Sequence, residues 1–77
     1  MADKMTQAQK VLEYIRQFGS ITQLEALRDL GVMRLASRVS DLRKQGYDIV
    51  GEREAVVNRY EEISYIKRYF EEAEADG

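Results

Sequence analysis

The chain has no cysteine and no histidine. Their absence removes thiol nucleophiles, disulfides, imidazole bases and every ordinary zinc site together. Nor does it contain anything near the roughly 20 consecutive apolar residues that a membrane-spanning helix needs. Its first residues, Met1-Ala-Asp-Lys-Met-Thr6, do not lead into an apolar secretory segment. Neither sign of charge dominates: 12 Lys and Arg stand against 14 Asp and Glu, for a net charge of −2. That balance argues against a generically sticky polycation. The expectation is an intracellular, cytoplasmic protein without a membrane partner, a cofactor or a catalytic activity.

What is present is enough for one small domain. There are 77 residues, 44% hydrophobic and 34% charged. A chain of this size buries only about 60% of its unfolded surface, so nearly every large apolar side chain is needed for the core. Few remain to line a substrate cavity, which points to binding rather than chemistry.

The charge is unevenly placed. Residues 1–31 balance to zero, whereas residues 32–47 carry Arg34, Arg38, Arg43 and Lys44 against Asp41 alone, net +3. Residues 48–70 come to −1, and the last seven residues hold Glu71, Glu72, Glu74 and Asp76, net −4. The acidity therefore lies mostly in a tail. The domain is expected over residues 1–70, with 71–77 a disordered or frayed acidic end.

Helical signals fill the first half. Thr6 and Gln9 have the form of a capping box, Val11, Leu12, Ile15 and Phe18 keep one-face spacing, and Gly19 offers a stop. A helix over 7–18 follows. Thr22 and Glu25 repeat the box, with Leu24, Leu27 and Leu30 as the apolar stripe of a short helix over 23–30, ended by Gly31. The third helix, 33–45, directs Leu35, Val39 and Leu42 to a core and sets Arg34, Arg38, Asp41 and Gln45 opposite, with Ser37 and Lys44 flanking that series. Helix, short Gly-containing turn and helix is the layout of a helix-turn-helix.

Beyond Gly46 β-branched and aromatic residues alternate imperfectly with charges. Strands are expected at 48–57 and 62–69, joined at Asn58-Arg59-Tyr60-Glu61, with Asn58 best suited to the turn and Gly51 marking a bulge. A helix over 61–75 competes for the same residues, because Glu, Ala, Arg and Lys are good helix formers.

Three helices followed by a β-hairpin is the order of a winged helix, an α+β fold. The stretch from Gly19 to Gly31, with Arg34-Leu-Ala-Ser-Arg38 and Asp41-Leu-Arg-Lys-Gln-Gly-Tyr47, resembles a family of small winged helix-turn-helix proteins common in phages and prophages. Asn58-Arg59-Tyr60 resembles the wing tip of that family, and the likeness spans residues 7–69. Members often have Gly where Glu61 stands here. The resemblance implies binding to double-stranded DNA and a regulatory or architectural role.

On that reading the third helix lies in the major groove. Arg34 and Arg38, one turn apart, would grip guanine edges or phosphates, Ser37 would donate to a phosphate, and Lys44 would add backbone charge. The plain alternative is a solvated face tied by Arg–Asp pairs. In the wing, Arg53, Asn58, Arg59, Lys67 and Arg68 would meet the backbone or minor groove. Charged residues that merely protect an edge strand are the alternative there. The five tyrosines read as core or interface residues, not a stacking surface for single strands. Glu61-Glu62 and Glu71-Glu72 read as solvated rather than catalytic pairs. A monomer with so few basic contacts would bind weakly, so a homodimer or tandem occupancy is expected. The competing class is a protein-interaction module, in which the wing and acidic tail dock a host protein.

Overall fold

Thr6 opens the first helix as its spacing requires. In the computed structural model, which describes residues 5–72, α1 spans Gln7–Phe18. The Gln9 backbone N–H donates to Thr6 Oγ1 at 3.1 Å, and the Thr6 N–H donates to Gln9 Oε1 at 2.8 Å. Ala8, Val11, Leu12 and Ile15 are buried. Gly19, at φ 95°, donates its N–H to Ile15 O at 2.7 Å and ends the helix. Phe18 departs from expectation: it is exposed. At the last helical position it lies beyond the buried stripe and packs on Tyr14, ring centroids 4.6 Å apart.

Ile21–Thr22 forms a two-residue strand, β1, that periodicity did not signal. Thr22 serves twice, because it also caps the next helix through a reciprocal pair with Glu25. That helix, α2 (Gln23–Glu25), runs on into a π-helical stretch, Ala26–Leu30. Gly31 closes it at φ 70°, and the Val32 N–H donates to Ala26 O at 3.0 Å. The expected stripe fails here. Leu24 and Leu27 are exposed and Leu30 is half-buried, while Ile21, Ala26 and Val32 supply the buried contacts. A π stretch takes more residues per turn than an α-helix, so side chains at α spacing slip off the core.

Helix α3 spans Leu35–Lys44, two residues shorter at its start and one at its end than its sequence limits. Leu35, Val39 and Leu42 are buried as expected. β2 (Ile49–Val57) and β3 (Ile63–Glu71) then pair antiparallel without a break, from Ile49 opposite Glu71 to Val57 opposite Ile63. The strand therefore prevails over the competing helix across 63–71. The sheet order is β1-β3-β2, with Ile21 opposite Tyr69 and Thr22 opposite Arg68. Gly51 marks no bulge. It sits in register opposite Tyr69, where a Cβ would lie 3.0 Å from the tyrosine Cε1, so glycine leaves room for the ring.

The core is one cluster drawn from every element but α2: α1, β1, Ala26, Val32, α3, Ile49 and Tyr69. Residue 71 belongs to the sheet rather than to a tail. The Arg16 guanidinium grips the Glu71 carboxylate with Nε and Nη2 at 2.9 and 3.0 Å, and the Glu72 N–H donates to Asp48 O at 2.9 Å. The remainder of the expected tail, residues 73–77, lies outside the described residues.

Candidate nucleic-acid interface

The turn between the second helix and α3 is held by one side chain. Arg34 occupies the N-cap of α3 but makes no side-chain cap bond. Gln23, at the start of α2, supplies it from across the turn: its Oε1 accepts from the Leu35 N–H at 2.9 Å, and its Nε2 donates to Val32 O at 2.9 Å. The first N–H groups of a helix have no internal partner, so this bridge satisfies one of them and fixes where α3 begins. Gln23 has no signal in the sequence, because its partners are 9 and 12 residues away.

Helical rotation of about 100° per residue sorts α3. Leu35, Val39 and Leu42 point inward, so Ala36, Ser40 and Lys44 follow one another along the opposite, exposed side. This is not the Arg34–Arg38–Asp41–Gln45 series that the sequence suggested. Arg38 and Asp41 are half-buried, pair at 3.4 Å, and line a groove against Thr6, Gln7 and Ala8 at the start of α1. The Arg38 Nε is buried there without a hydrogen-bond partner among the described residues. Ser37 is half-buried, and its N–H donates to Arg34 O at 3.1 Å in the first turn. Arg43 is turned toward the sheet, its Nε donating to Ile49 O at 2.9 Å. Arg34 and Lys44, at the two ends of the helix, are exposed and form no ion pair among the described residues.

The hairpin residues separate in the same way. Arg53 lies over the Tyr65 ring at 4.5 Å, and Lys67 is directly opposite Arg53 across the ladder. Both cations are exposed. Arg59 is exposed at the tip. Asn58 is occupied by the turn itself. Its Oδ1 accepts from the Tyr60 and Glu62 N–H groups at 2.8 and 3.1 Å, and its Nδ2 donates to Ser64 Oγ at 3.3 Å. Glu61 takes φ 62°, the left-handed conformation that a glycine adopts without strain.

Arg68 is likewise committed. Its Nε donates to Glu54 at 2.7 Å, its Nη1 donates to Ser20 Oγ at 3.1 Å, and Glu25 Oε1 is 3.8 Å away. It ties β3 to β2 and to the start of the second helix. This pairing lowers the Glu54 carboxyl below its ordinary value, as the Arg16 guanidinium does for Glu71. On the far side, Arg28 and the Tyr14 hydroxyl both donate to Asp29, and its carboxyl is held at about 2. The same hydrogen bond raises the Tyr14 hydroxyl.

The tyrosines divide between the core and the surface. Tyr69 is buried and Tyr14 and Tyr47 pack at the core edge, whereas Tyr60 and Tyr65 are exposed. Among the described residues no group of three acidic side chains could hold a metal ion. No helix there is long and apolar enough to cross a membrane.

Three helices, a sheet in the order β1-β3-β2 and a projecting hairpin define a winged helix, with α3 in the place of a recognition helix. A profile described as a winged helix-turn-helix domain matches residues 6–70, and the chain belongs to that family. Domains of this kind are typically DNA-binding modules rather than enzymes. Comparisons with curated proteins and with solved structures give no match.

Proposed function

We propose that the chain binds double-stranded DNA, with α3 in the major groove and the hairpin against the backbone. The observation that carries this reading is the exposed side of α3. Ala36 and Ser40 are small enough for the helix to approach base edges closely, and Arg34 and Lys44, which form no ion pair among the described residues, stand at its two ends. Serine can meet either kind of base edge and alanine can touch a thymine methyl group. Arg38, pinned by Asp41 beside α1, would reach a phosphate only by leaving that pair. Arg53, Arg59 and Lys67 supply charge from the wing, and Asn58 and Arg68 act by shaping it. We assign a regulatory or architectural role in a phage or prophage setting on the sequence resemblance of residues 19–47. Occupancy as a homodimer or in tandem fits the small number of free cations.

Anisotropy titration of labelled duplexes over a salt series tests the reading. Wild type should bind at low salt, and log K should fall linearly with log salt. Replacing Arg34 and Lys44 together by alanine should make that slope shallower by about 0.9 for each phosphate that is no longer neutralised. No binding at low salt, or an unchanged slope in the double variant, would refute it. Co-purification of a host protein at high salt, with no DNA affinity, would favour the interaction-module reading instead.

A further inference from the structure

Register sorts the charges of the hairpin. Residues opposite one another across a ladder share a face, and neighbours along a strand alternate. One face of its outer half therefore carries Arg53, Ala55 and Val57 with Ile63, Tyr65 and Lys67. It holds no carboxylate. The other face takes the two β2 glutamates, Glu52 and Glu54, and there Arg68 pairs with Glu54; the third strand glutamate, Glu71, lies at the inner end of the first face, held by Arg16. Two of the acids that dilute the wing's charge in the sequence, Glu52 and Glu54, are thus turned away from Arg53 and Lys67.

The acid-free face is also apolar and open. Val57, Ile63 and Tyr65 are 72%, 66% and 60% exposed. A domain this small has few large apolar side chains to leave in water. The tip is a poorer candidate for contact with a polyanion. Arg59 there is followed by Glu61 and Glu62, and the Asn58 side chain is used up in the turn.

We propose that the wing meets duplex DNA side-on, through the Arg53–Tyr65–Lys67 face, and not end-on through its tip. Arg53 and Lys67, side by side across the ladder, contact phosphates, while Tyr65, Val57 and Ile63, one and two rows nearer the turn, pack against the adjoining deoxyribose edges. Charge complementarity selects the occupant: a pair of cations beside an apolar patch matches a sugar–phosphate wall. The inference rests on the DNA-binding reading and deepens it by naming the wing surface that touches the duplex.

The test compares face and tip variants by anisotropy on one duplex, with circular dichroism melts confirming that each variant folds. Lys67→Gln and Arg53→Gln should each lower affinity about five- to tenfold at 0.1 M salt and make the salt slope shallower by about 0.9. Val57→Ser with Ile63→Ser should weaken binding without changing the slope, since no ion is released by an apolar contact. Arg59→Gln should stay within about twofold of wild type. Tyr65→Ser should weaken binding as well, and the Lys67 variant carries the test if that protein does not fold. Face variants that bind like wild type, or a tip variant that binds more weakly than Lys67→Gln, would overturn the side-on contact while leaving DNA binding intact. A wild-type protein that binds no duplex at low salt would overturn both.

Discussion

Replacing Gln23 by alanine probes the joint on which the helix-turn-helix depends. The substitution removes two hydrogen bonds of 2.9 Å, one to Val32 O and one from the Leu35 N–H. Val32 and Leu35 are almost wholly buried, so water substitutes poorly for the missing amide. At about 0.5–1.5 kcal/mol net for each bond, the cost should be about 1–3 kcal/mol. For a domain of this size that corresponds to a fall in Tm of about 5–20 °C. Gln23→Glu makes the experiment specific. It keeps an acceptor for the Leu35 N–H and places negative charge at the N-terminus of α3, worth about 0.3–1 kcal/mol, but removes the donor to Val32 O. Its stability should fall between wild type and Gln23→Ala. Urea denaturation followed by circular dichroism measures all three. An alanine variant within about 0.5 kcal/mol of wild type would refute the bridge as the device that sets α3.

Three further outcomes follow from the geometry. Gly51→Ala places a Cβ 3.0 Å from Tyr69 Cε1 and 3.2 Å from Lys67 Cδ, and should destabilise by about 1–3 kcal/mol in urea unfolding. Unchanged stability would mean that the buried ring moves freely. Glu61→Gly relieves a left-handed residue at φ 62°, worth about 1–2 kcal/mol, against about 0.4–1 kcal/mol of added chain entropy in the unfolded state. The variant should be as stable as wild type or more so by up to about 1 kcal/mol, and a clear drop in Tm would contradict it. The Asp29 carboxyl is lowered to about 2 by Arg28 and Tyr14. Its contribution is therefore present above the ordinary carboxylate value and lost as pH falls from about 4 through 2. Stability of Asp29→Asn should fall less steeply than wild type across that interval in acid titrations, and a parallel curve would count against the pair.

Local signals made much of the fold legible. The Thr6–Gln9 box, the spacing of Val11, Leu12 and Ile15, and Gly19 define α1 with no help from elsewhere. The same holds for the inward face of α3 and for the hairpin with its Asn58 turn. Each depends on residues a few positions apart, which a sequence displays directly. Phe18, Leu24 and Leu27 misled because periodicity finds an apolar stripe but does not say whether a neighbour covers it.

The candidate site was legible as a set of cations and illegible as a surface. Composition placed net +3 over residues 32–47, yet Arg38 is bound to Asp41 and Arg43 to Ile49 O, which leaves Arg34 and Lys44 without an ion pair among the described residues. In the hairpin the charges nearly cancel, and only the ladder register turns Glu52 and Glu54 away from Arg53 and Lys67. Near neighbours and composition were enough to dictate the helices, the turns and the lack of thiol or imidazole chemistry. β1, the Gln23 bridge and the sorting of free from paired cations had to wait for the folded chain. Each of these is set by partners many residues away, brought together only when the core closes.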